Sequence, residues 1–169
     1  MREILFRGKA INRDKGFYIT NYKNGDWVYG LVTRLYDERF ENLPTEMTNT
    51  NGIKSIEIDY KTISQYTGLT DKNGKKIFEG DIVELFDMRG KIVQECGAFG
   101  IATTQQIDYD LLDSKIPFQN NAYFCFNDNF ISIWELWWNY HQDDEPLEVA
   151  EVIGNIYDTP ELLKGDCCK

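Results

Sequence analysis

The sequence predicts a mainly β protein built around a small barrel. Three observations carry that expectation. Aromatic residues make up 14% of the 169-residue chain, 10 Tyr and 10 Phe among them, and such side chains favour pleated, half-buried surfaces. Short runs of β-branched and aromatic residues recur. Close turn signals separate them, as in small closed sheets.

The first strong run is Asp26 to Tyr36, which follows Asn24-Gly25 and reads as a strand after a tight turn. Residues 37–52 are polar and hold Pro44, Asn49, Asn51 and Gly52, which predicts a loop. Ile53, Ile56 and Ile58 mark a short second strand. In Thr70-Asp71-Lys72-Asn73-Gly74-Lys75-Lys76, the Asn-Gly pair predicts a two-residue type I′ hairpin turn. Gly80 predicts a bend into a strand over Ile82–Phe86, and Arg89-Gly90 and Gly97 punctuate two further strands.

Residues 105–116 are acidic with weak helical spacing, and Tyr123–Phe126 reads as a strand. Ser132 and Glu135 fit a capping box. The helix they open would place Ile133, Leu136, Trp137 and Tyr140 on one face; a strand over 130–138 is the alternative. Val149–Ile156 predicts a strand interrupted at Gly154, and Thr159-Pro160 a helix start with a Thr cap. The length fits one domain.

Charge placement narrows the function classes. The net charge is −10. Residues 1–60 carry nine basic and nine acidic groups and residues 61–100 six of each, whereas residues 101–169 carry three basic and thirteen acidic. The excess therefore lies in the last part, which would repel a polyanion and argues against non-specific nucleic-acid binding. Apolar runs are too short for a signal peptide or membrane span, so the expected location is the cytoplasm, without membrane contact. Cys96, Cys125, Cys167 and Cys168 have no zinc-type spacing, and no metal or cofactor is expected.

The run Gln65-Tyr66-Thr67-Gly68-Leu69-Thr70-Asp71-Lys72-Asn73-Gly74-Lys75, followed by Glu79-Gly80-Asp81-Ile82-Val83, resembles the central signature of the YopX family. Arg2 to Lys9, Trp27-Val28-Tyr29-Gly30 and Glu151 to Leu163 agree with that family in the same order, so the resemblance spans roughly residues 2–163. It implies a mainly β fold with an SH3-like barrel over 61–163, an N-terminal β extension over 1–60 and one or two short helices. The tail 164–169 would be disordered. It also implies a phage or prophage origin and a bacterial host cell. It supplies no activity, substrate or catalytic residue.

Site candidates follow from residue chemistry. His141 is the one histidine, so any His-dependent dyad must use it, yet a solvated surface position fits it better. No nucleophile elbow, phosphate loop or zinc-protease motif is present, and no catalytic residue is assigned. Glu79 and Asp81 bracket Gly80 and read either as an acid–base or cation-binding pair or, preferably, as turn-building residues. Asp143-Asp144-Glu145 reads as a solvated acidic loop. Eight of the 24 aromatic residues lie within residues 123–140. On a helix, Trp134 and Trp138 would point away from Ile133 and Trp137, so Trp134, Trp137 and Trp138, rimmed by Asp143, Asp144 and Glu145, form a candidate interface. The expected function is a non-enzymatic protein-binding phage accessory module. Its partner would be an unknown protein or a second copy, with an acidic inhibitor or DNA mimic as one form. A nucleic-acid-associated accessory protein is the alternative, and a small carboxylate-dependent hydrolase the third reading.

Overall fold

The computed structural model describes residues 3–11, 22–35, 44–49, 55–86, 88–95, 97–107, 129–140 and 149–164. The described chain is mainly β. It divides into two compact units, Met1–Tyr66 and Thr67–Lys169.

The first unit is built from β1 (Phe6–Ala10), β2 (Trp27–Arg34), β3 (Thr45–Asn49) and the first part of β4 (Ser55–Thr70). All pairings are antiparallel: β1 with β2, β2 with β3, β3 with β4, and β4 back to β1. They make a ring of hydrogen-bonded strands. Alternation along each strand sends Ala10, Val28, Met47, Ile56 and Ile58 to one shared core. Gly8 faces the same way, and a Cβ there would lie 2.4 Å from Ile58 Cγ2. β3 falls inside the segment expected to be a loop. Thr45-Glu46-Met47-Thr48-Asn49 has a single large apolar residue, so the strand is specified by pairing on both sides and by burial of Met47. β4 likewise runs on through what read as one short strand and a separate motif.

The second unit holds the last residues of β4, then β5 (Lys76–Phe78), β6 (Asp81–Leu85), β7 (Met88–Glu95), β8 (Ala98–Thr103), β9 (Phe130–Ser132) and β10 (Ala150–Asn155). β6 to β10 form an antiparallel sheet in the order β10-β6-β7-β8-β9. Its core includes Ile77, Val83, Leu85, Ile92, Ile101, Ile131 and Ile133. The helix α1 (Ile133–Tyr140) follows β9 directly. The register of β10 on β6 shifts between Val152 and Gly154, which is the interruption the glycine predicts. A single 3-10 turn, Pro160–Leu163, closes the described chain. Its Thr159 does not cap it. The hydroxyl instead accepts from Asn155 N at 3.2 Å and donates to Asn155 O at 3.3 Å.

Among the described residues β9 and β10 are not paired, so the strands described in this sheet do not complete a ring. The ring of pairings occurs in the part read from sequence as an extension.

Candidate functional site

The signature run folds as a polar scaffold. Thr67 is fully buried; its hydroxyl donates to Ile77 O at 2.9 Å and accepts from Leu69 N at 3.3 Å. Gly68 between them has φ 93°, a conformation other residues rarely adopt. Asp71 is also fully buried. Its Oδ1 accepts from Asn73 N at 2.8 Å and Lys75 N at 2.9 Å, and its Oδ2 from Val152 N at 2.9 Å. One carboxylate therefore builds its own turn and ties that turn to β10.

The turn is not type I′. Asp71 O accepts from Gly74 N at 2.9 Å, and Asp71 N donates to Lys75 O at 2.8 Å. Gly74 has φ 76°, whereas among the described non-glycine residues only Phe86 has a positive φ. This is the three-residue hairpin in which a type I turn is followed by one left-handed residue. The reason is Asp71. An Asp side chain that accepts the amide two residues on stabilises an Asx turn, which competes with the mirror-image turn that Asn-Gly alone favours. Lys72 reinforces the clasp. Its amide donates to Ala150 O at 3.1 Å and its ammonium lies 2.5 Å from Glu151. The hydrogen bond to Glu151 is the main reason the Lys72 ammonium holds its proton above the usual lysine value.

Glu79-Gly80-Asp81 forms the second polar joint. Asp81 is buried, and its Oδ2 accepts from Phe78 N at 2.7 Å. Gly80 has φ 77°, donates to Ile92 O and accepts from Ile156 N, both at 2.9 Å. Glu79 is half-buried beside them. Among the described residues no group of three His, Cys, Asp or Glu side chains is placed to hold a metal ion. Asp71, Thr67 and Asn155 were given no individual role from sequence, and Thr159 was read only as a helix cap. For Asp71 the signal was available, an acidic residue two positions before Asn-Gly.

The aromatic candidates are partly resolved. Trp134 and Trp137 are half-buried, pack on the core of the second unit and meet edge to face at 5.6 Å with an interplanar angle of 77°. They lie on one side of α1, as side chains three apart on a helix do, which corrects the expected opposition of Trp134 and Trp137. Trp138 lies in α1, but its side chain is outside the described residues, as are His141, Asp143, Asp144, Glu145, all four cysteines and the strand expected over 123–126.

The family profile described as "YopX protein" matches residues 6–164, nearly the whole chain. The chain belongs to the YopX family. The YopX match covers both units and every strand described above. Among curated proteins nothing matches. In this YopX chain the signature residues Thr67, Asp71, Gly80 and Asp81 are all buried. What their positions provide is a network that joins β4, the 71–75 hairpin, β6 and β10.

Proposed function

We propose that this chain is a non-enzymatic accessory module of phage or prophage origin that works by binding a protein in the bacterial cytoplasm. The observation that supports this reading is the Trp134–Trp137 pair, which leaves half-buried indole surface on α1 next to the core. Half-exposed tryptophans are favoured anchors at interfaces. The signature carboxylates give less support to catalysis, because Asp71 and Asp81 are buried and already accept backbone N–H groups. No helix among the described residues is long and apolar enough to cross a membrane.

The second unit is best read as an SH3-like barrel. Four strands meander in sequence order and the last returns beside the first, with α1 between β9 and β10. The thirteen acidic against three basic groups of residues 101–169 suit a basic partner, and a DNA-mimicking inhibitor is the form this would take. The test is affinity capture from a host lysate with the wild-type chain and Trp134→Arg, both shown to be folded by circular dichroism. A basic protein retained by the wild type, released by salt and lost from the variant is expected. Equal retention by both, or none by either, overturns the reading. The chain itself should bind random duplex DNA poorly at physiological salt, and salt-sensitive binding at roughly 1 µM would count against it.

A further inference from the structure

Asn-Gly pairs occur at Asn24-Gly25, Asn51-Gly52 and Asn73-Gly74. An Asn followed by Gly is the pair best able to react with itself, because no Cβ shields the glycine amide. That nitrogen gives up its proton and bonds to the Asn Cγ. The side-chain nitrogen leaves with the proton as ammonia, and a five-membered succinimide remains. Water then opens the ring at either carbonyl. One opening gives aspartate; the other gives isoaspartate, with the backbone routed through the former side chain. The net change converts an amide and water into a carboxylate and ammonia. Asn51-Gly52 lies outside the described residues. At the other two pairs the attacking nitrogen is engaged, since Gly25 N donates to Ala10 O at 2.8 Å and Gly74 N to Asp71 O at 2.9 Å. Asn73 and Gly74 are exposed at the tip of their hairpin, so water reaches them.

Asn73 differs in what its turn holds. As the third residue of a type I turn its ψ is set at about 0°, which keeps Gly74 N rotated away from the Asn73 side chain. Ring closure needs the two side by side. That rotation breaks the bond from Gly74 N to Asp71 O and moves Lys75 N off Asp71 Oδ1. The same carboxylate accepts from Val152 N, and Lys72 N donates to Ala150 O, so the turn that reacts is one that has let go of β10. The isoaspartate product cannot return. It adds a methylene to the backbone ahead of Gly74, so Gly74 N and Lys75 N no longer reach Asp71 O and Oδ1 together. It also sets a second carboxylate two residues from Asp71. We infer that Asn73 is a gated self-modification site, closed while Asp71 clasps β10 and, once converted to isoaspartate, holding the β10 edge open. An edge opened in this way presents unpaired strand groups to other chains, and the change is one-way.

Ageing the full chain in mildly alkaline reducing buffer tests this, with peptide mass spectrometry and isoaspartate-specific methylation reading each Asn. Conversion of Asn73 should be at least about tenfold slower in the folded chain than in the same chain in urea, because reaction follows the open population. Asp71→Asn should raise the folded-state rate at Asn73 by at least about tenfold and leave Asn24 unchanged. Lys72→Met removes only the exposed bond to Glu151, so it tests the same point in a chain that keeps its fold, with a rise of about threefold. Hydrogen exchange then reads the consequence. The Val152 amide should lose protection in the converted chain and keep it in Asn73→Ser aged alongside, which cannot react. Equal rates at Asn73 in folded and denatured chains overturn the gate, as does a rate unmoved by both variants. No conversion of Asn73 even in urea overturns the site. Full protection of Val152 in chains carrying isoaspartate at residue 73 overturns the uncapping of β10.

Discussion

The two units solve the same problem differently. Among the described residues, the first has a core cluster of five buried residues and returns β4 to β1, so its strands satisfy one another around a ring. The second, again among the described residues, has a core cluster of thirteen and a strand order with β10 at one edge. That edge is occupied by the 71–75 hairpin, where Asp71 Oδ2 accepts the Val152 amide and Lys72 N donates to Ala150 O. An exposed strand edge invites pairing with other chains, and covering it is a common remedy. The contrast extends to the surface. Every large apolar side chain found exposed among the described residues, namely Ile4, Tyr29, Leu31, Leu35 and Tyr60, belongs to the first unit. A small ring has too little interior for its apolar residues, whereas a larger core consumes them.

Substitutions in each unit sharpen the contrast. Met47→Ala should have the largest effect, about 3–4 kcal/mol, because Met47 is wholly buried at the centre of a five-residue core. Denaturant unfolding measures it, and a loss below about 1 kcal/mol would show that the ring rather than the core holds the first unit. Asp71→Asn should follow at about 2–4 kcal/mol. The amide keeps one acceptor oxygen but turns a donor toward an N–H that Asp71 now satisfies. Hydrogen exchange should show faster exchange at the amides of Val152, Asn73 and Lys75. Unchanged protection there would remove the clasp from the account.

Gly154→Ala comes third, at about 1–3 kcal/mol, because a Cβ would sit 2.1 Å from Thr159 Oγ1 and 2.7 Å from Leu162 Cδ1. A thermal melt unchanged from wild type would mean that the turn at 155–159 yields freely. The smallest effect is alkaline. Burial first, and the charge of Glu3 second, raise the Tyr66 phenol above its ordinary value of 10.0. A raised folded-state pKa contributes stability that is whole below pH 10 and is lost as pH rises through the folded value. Tyr66→Phe should therefore lose less stability than wild type between about pH 9 and about pH 11. Lys72, also raised, drains in the same direction from about its ordinary 10.5 upward and remains in the variant. Parallel pH curves for the two proteins would contradict the assignment to Tyr66.

Much of this was legible in the sequence, and the misses have definite causes. β2, β6 and the Gly154 interruption follow from local composition, because β-branched runs and glycines act over a few residues. α1 is present where the capping pattern places it. β3 was invisible because its polar residues are held by strands on either side, a long-range effect that no window contains. The hairpin at Asn73-Gly74 was placed correctly and typed wrongly, because Asp71 outside the pair decides its geometry. The site was legible as a motif. Its chemistry was not, since the role of Asp71 depends on Val152, which is 81 residues away. The split at Tyr66 falls inside one continuous strand, where composition gives no punctuation.

That separation of 81 residues also orders events during synthesis. β1, β2, β3 and the first part of β4 lie before Thr67 and can pair while the rest of the chain is still being made. In the second unit, Asp71 is among the first residues to emerge, but its partner strand Ala150–Asn155 is the last to do so. Until then Asp71 Oδ2 and the β6 edge wait in water for their final partners, while Oδ1 already holds the local turn. A nascent chain stalled before Ala150 therefore presents a finished first unit joined to an open, sticky sheet. That is the form in which a chaperone or a protease would most readily meet this protein.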